Sequence, residues 1–91
     1  MPFTKTEAIE RARKDLAERL GVRAVEIKED SVDDAEFPDM ALGAPVNGEL
    51  SGQMISSGWR IGLSTSDERA EYRADKYQIR LFNFRGQNYK V

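Results

Sequence analysis

An α+β fold is predicted for this chain: one N-terminal helix packed against a curled, mainly antiparallel sheet of about four strands. Three observations lead there. Apolar residues recur at helical spacing near the N-terminus, apolar–polar alternation replaces that spacing from Trp59 onward, and the links between the later alternating runs are short. Short links suit antiparallel neighbours, because a parallel pair needs a crossover of roughly a dozen residues or more.

The helix starts after Thr4, a capping residue followed three positions later by Glu7, which completes the reciprocal capping pattern. Ile9, Ala12, Leu16 and Leu20 recur at steps of three and four, and Ala8 and Ala17 widen the stripe. Glu7, Glu10, Arg11, Lys14, Asp15 and Glu18 make the polar surface. Gly21 can end the helix in a left-handed conformation.

A strand is expected over residues 24–32, with Val25 and Ile27 alternating before the charge rises. The run DDAE then leads into a loop. Leu50 and Met54 frame a short piece of strand or irregular edge. In the next strand Trp59, Ile61, Leu63 and Thr65 share one face, opposite Arg60, Gly62 and Ser64. SDER supplies a turn, and Ala70, Tyr72 and Ala74 form the following inward row. In YQIRLFNF, Tyr77, Ile79 and Leu81 lie on one side and Arg80, Phe82 and Phe84 on the other. Gly86 ends that strand, and QNYKV is assigned no element.

The stretch FPDMALGAPVNG, residues 37–48, reads as an ordered loop. Pro38 fixes its own torsion and biases Phe37 towards extended backbone. Asp39 can accept hydrogen bonds from nearby amides, Gly43 permits a bend, Pro45 restricts the exit, and Asn47–Gly48 is a strong turn pair. Met40 and Leu42 are its apolar anchors. Such a loop either covers one end of the core or presents Met40 or Leu42 to a partner such as a protease cleft.

Ninety-one residues, 40% of them hydrophobic, suit a single small domain over residues 1–91. The net charge of -2 exerts no long-range pull on nucleic acid, although residues 22–45 carry seven acidic and two basic side chains. The chain has no cysteine and no histidine, so it lacks a thiol, the usual imidazole base and the commonest zinc ligands. MPFTKTEAIERARK lacks the apolar core of a secretory leader, and no segment approaches the roughly 20 apolar residues of a membrane span. A cytoplasmic location is expected, with no cofactor and no metal.

The chemistry-bearing patterns are sparse. Asp30, Asp33, Asp34, Glu36 and Asp39 form the densest acidic group, without the spacing of a helix–loop–helix calcium site. No serine stands in Gly-x-Ser-x-Gly, and residues 43–48 lack the Lys–Ser/Thr of a phosphate cradle. Arg60, Arg73, Arg80 and Arg85 interleave with Tyr72, Phe82 and Phe84, a pattern that on an open sheet could bind single-stranded nucleic acid. Phe82 and Phe84, opposite the inferred core row, could instead be covered by a second copy or by another protein.

ARKDLAERLGV, FPDMALGAP and GWRIGL through Glu71–Tyr72–Arg73 resemble a small, poorly characterised bacterial domain family, over residues 8–82. That family's pattern has aromatic–Pro–Asp, then Leu–Gly–Cys–Pro, and later Tyr/Trp–Arg–Ile. Phe37, Pro38, Asp39, Leu42, Gly43, Pro45, Trp59, Arg60 and Ile61 match it, and Ala44 stands where its cysteine is common. The resemblance implies no reaction and no catalytic residue.

The expectation is therefore a non-enzymatic structural or protein-association domain. Its candidate contacts are Met40, Leu42, Phe82 and Phe84, on a loop structured by Phe37, Pro38, Asp39, Gly43, Pro45 and Gly48. A homo-oligomer or an unidentified protein is the expected partner, and neither membrane nor nucleic acid is. A protease-inhibitor-like protein presenting residues 37–48 is the alternative, with single-stranded nucleic-acid binding behind it.

Overall fold

The computed structural model describes residues 2–91. Helix α1 (Lys5–Leu20) packs on one face of a five-stranded antiparallel sheet. Its strands are β1 (Lys28–Phe37), β2 (Ser56–Ser64), β3 (Arg69–Ala74), β4 (Ile79–Phe84) and β5 (Gln87–Lys90), each paired with the next in sequence. The long β1–β2 connection folds back over the opposite face.

Local chemistry sets the helix. Thr4 Oγ1 accepts the Glu7 amide at 3.1 Å and Glu7 Oε1 accepts the Thr4 amide at 2.9 Å, satisfying two donors that would otherwise lack partners. Gly21, at φ 68°, donates its amide to the Ala17 carbonyl and closes the other end. Ala8, Ala12 and Leu16 are fully buried; the two alanines bring the helix axis close to the sheet, and Leu16 fills the space between. Opposite them lie Ile61, Leu63, Tyr72, Ile79 and Leu81. The Tyr72 hydroxyl, carried into this core, donates to Asp15 Oδ2 at 2.7 Å, and the same oxygen accepts Arg19 Nε at 2.6 Å.

Several expectations are corrected. The sheet has five strands rather than four, because QNYK pairs with β4. The first strand begins later and runs further: residues 24–26 form a 3-10 turn with Val25 exposed, while DDAE lies within β1. As an edge strand, β1 keeps its charged side chains in water on both faces, so burial imposes no alternation. Of the two alternatives for residues 50–55, strand or irregular edge, the irregular one holds. Tyr77 is exposed in a turn, because Asp75 Oδ1 accepts both the Tyr77 and Gln78 amides and delays β4 until Ile79.

Phe84 also moves. A one-residue bulge separates the Leu81–Tyr89 and Phe84–Gln87 pairs, with Asn83 at φ 48° and its amide bonded to Asn88 Oδ1 at 2.7 Å. The extra residue reverses the facing that follows it. Phe82 therefore stays on the face away from the helix, while Phe84 turns into the helix-side core and is 7% exposed. The two phenylalanines do not make one patch. Elsewhere the strands approach tightly: a Cβ on Gly58 would lie 2.0 Å from the Ala74 carbonyl oxygen.

Candidate functional site

The face turned away from α1 carries one cross-strand row of charge. Asp33 pairs with Arg60, Arg60 with Arg73, Arg73 with Arg80, and Arg80 with Lys90. Like charges directly opposite one another on neighbouring strands repel, so this row needs acceptors. The β1–β2 connection supplies most of them, and Glu71 of β3 serves Arg60 and Arg73.

Arg73 donates through Nη1 to the Leu42 and Gly43 carbonyls at 3.1 and 3.3 Å, and through Nε to Glu71 at 2.8 Å. Its guanidinium carbon sits 3.6 Å from the Phe82 ring centre and 5.5 Å from that of Phe37, which places the cation against both aromatic rings. Arg80, 5% exposed, donates to the Ala44 carbonyl at 3.2 Å and to both carboxylate oxygens of Glu49 at 2.5 and 2.6 Å. Hydrogen bonding from Arg80 holds the Glu49 carboxyl down at about 2 against the opposing effect of burial; the Val46 amide and Lys90 lower it further. Three consecutive loop carbonyls are thus tied to two strand arginines.

The rest of the loop is fastened by its own residues. Asp39 Oδ1 accepts the Ala41 and Gly43 amides at 2.9 and 3.0 Å, bending the chain so that Ala41, Leu42 and Ala44 are all fully buried. Leu42 and Gly43 adopt φ of 58° and 67°, and a Cβ on Gly43 would lie 2.6 Å from Arg73 Nη1. Glycine at 43 therefore leaves the position that the guanidinium occupies. Gln78 Nε2 donates to the Met40 carbonyl at 2.6 Å, and Asn88 Nδ2 to that of Pro45 at 2.8 Å. Gly48, at φ 79°, lies in the turn in which the Glu49 amide bonds the Val46 carbonyl.

The predicted contact residues are accordingly separated. Leu42 is inside, Phe84 is in the helix-side core, Phe82 is half-buried beneath Arg73, and Met40 remains exposed. Phe37 is buried on the loop side, where its ring is the apolar floor of the anchor. Tyr72 is fully buried and Arg73 and Arg80 are engaged, so these residues do not line up as an open aromatic and cationic platform.

Sequence reasoning missed the anchoring residues Arg73, Arg80, Glu49, Gln78 and Asn88. Their signal was present: Arg73 and Arg80 occupy outward strand positions whose antiparallel alignment sets two cations face to face. It missed also that Leu50, Met54 and Ile55 are exposed, Leu50 almost completely. A shallow cleft of about 380 Å³ across the strands is lined by Ser31, Gly62, Glu71, Phe82 and Asn83 among others, and by no residue of the loop. Among the described residues, no three acidic side chains gather to hold a metal ion, and no helix is long and apolar enough to cross a membrane.

Fold and site together define a small α+β domain: a helix-backed antiparallel meander with an arginine-anchored loop on its second face. The chain belongs to a family described as a domain of unknown function, DUF8738, which matches residues 9–82. No curated protein matches it. Neither does any solved structure.

Proposed function

We propose that this is a non-enzymatic protein-association domain whose partner docks on the apolar side chains of the anchored loop, Met40, Leu50, Met54 and Ile55. One observation carries the reading. The segment whose carbonyls are fastened to Arg73, Arg80 and Gln78 also holds these four large apolar side chains in water. Exposed apolar groups concentrated in one segment mark association surfaces. A loop already ordered loses little conformational freedom when it binds. The partner is a second copy or another protein.

The protease-inhibitor reading has less support: of its two candidate anchors only Met40 is exposed, while Leu42 is buried in a turn whose carbonyls Arg73 holds.

The test places a photoreactive residue at Met54 or, as a control, at Glu10 on the outer face of α1. Crosslinks to a second copy or a defined partner are expected from position 54 and not from position 10. The variant Leu50→Ser/Met54→Ser/Ile55→Ser is expected to abolish association without changing the unfolding midpoint. Association that persists in that variant refutes the surface; reproducible substrate turnover refutes the non-enzymatic reading.

A further inference from the structure

We propose that Asn47–Gly48 is a self-modification site, at which the folded chain converts Asn47 to aspartate and isoaspartate and thereby loosens the anchor of its own loop. The reaction needs a side-chain carboxamide free to turn, a following amide nitrogen free to attack, and no bulk at the following residue. All three conditions meet here. Among the described residues, neither the Asn47 carboxamide nor the Gly48 amide makes a hydrogen bond, both residues are exposed, and a Cβ placed on Gly48 would meet no atom within 4 Å.

The other two asparagines are internal controls. The Asn88 carboxamide is tied at both ends, donating to the Pro45 carbonyl at 2.8 Å and accepting the Asn83 amide at 2.7 Å, and the bulky Tyr89 follows it. Asn83 precedes Phe84, which is buried in the core.

Hydroxide removes the Gly48 amide proton, and the nitrogen attacks Asn47 Cγ. The Cγ–Nδ2 bond breaks, ammonia leaves with a proton from water, and a five-membered succinimide remains. Water then opens that ring. Cleavage at the Cγ–N bond gives aspartate; cleavage at the main-chain carbonyl gives isoaspartate, with the backbone rerouted through Cβ.

The isoaspartyl product adds a methylene to the backbone of the turn that places Glu49. Two contacts depend on that turn: the Glu49 amide to the Val46 carbonyl at 3.1 Å, and the Val46 amide to Glu49 Oε1 at 3.2 Å. Displacing them moves the carboxylate that Arg80 and Lys90 hold, and the new carboxylate adds negative charge beside it.

The experiment incubates the native chain at mildly alkaline pH, alongside the same chain unfolded in urea, and follows each asparagine by peptide mass mapping. Isoaspartate is scored by enzymatic methyl transfer. Conversion in the folded chain is expected at Asn47 and not at Asn83 or Asn88, at a rate within about tenfold of the unfolded chain. A slower rate than that, or conversion elsewhere first, overturns the reactivity. The purified isoaspartyl form is expected to unfold at a lower temperature, while Asn47→Gln keeps its midpoint over the same incubation. An isoaspartyl form with an unchanged midpoint overturns the loosening.

Discussion

Arg80 grips Glu49 with both terminal nitrogens, at 2.5 and 2.6 Å, and this paired contact joins the middle of the long loop to the inner strand β4. The Glu49 carboxyl ionises at about 2 in the folded chain instead of 4.5, so between these values the unfolded chain binds more protons. The stability conferred by the pair is therefore present above the ordinary carboxylate range and drains away as the pH falls towards 2. Glu49→Gln is expected to lose about 1–3 kcal/mol at neutral pH, because Arg80 keeps its burial and loses its counter-charge. The variant should also lose less than the parent between pH 5 and 2, which urea unfolding at several pH values measures.

Arg73→Lys is expected to destabilise by about 2 kcal/mol, although charge is conserved. An ammonium cannot lie flat against Phe82 and Phe37 while also reaching the Leu42 and Gly43 carbonyls and Glu71. Hydrogen exchange at the Ala41 and Gly43 amides should accelerate in the variant, more than at amides of the helix. Equal acceleration everywhere would show that Arg73 supports the whole fold and not the loop.

Gly58→Ala is expected to cost about 3 kcal/mol or more, because its methyl would overlap the Ala74 carbonyl oxygen, a backbone atom with nowhere to retreat. Thermal unfolding reads the loss directly. Gly21→Ala, where no atom lies within 4 Å, should cost only the strain of its left-handed φ, about 1 kcal/mol.

Tyr72→Phe leaves the core volume intact and removes the bond to Asp15, with an expected loss of about 1 kcal/mol at neutral pH. Burial, followed by the Asp15 carboxylate, pushes the phenol well above its ordinary value. Because the folded value is the higher one, the contribution is full below the ordinary tyrosine range and is lost as the pH rises beyond it. The tyrosinate absorption of Tyr72 should accordingly appear only when alkali unfolds the chain. A variant with unchanged alkaline stability would show that the Asp15 contact contributes nothing to that limit.

The loop shows where sequence reading reached its limit. Its order was legible, because Pro38, Asp39 and Pro45 constrain the backbone whatever surrounds them. Its occupants were not. Whether Leu42 points inward and Leu50 outward depends on which carbonyls Arg73 and Arg80 capture, and those arginines lie 31 and 36 residues further along the chain than the carbonyls of Leu42 and Ala44.

Determined by sequence alone were the elements whose signals are local: the Thr4–Glu7 cap, the alanine-rich helical stripe, and the inward rows Trp59–Ile61–Leu63, Ala70–Tyr72–Ala74 and Ile79–Leu81. The limits of β1, the inclusion of β5 and the inward turn of Phe84 were decided by tertiary structure. An edge strand can be charged on both faces and still pair, and one extra residue at Asn83 reverses every facing beyond it. Period and propensity operate over neighbouring residues, whereas register and the neutralisation of a cross-strand row of cations exist only once the strands have met.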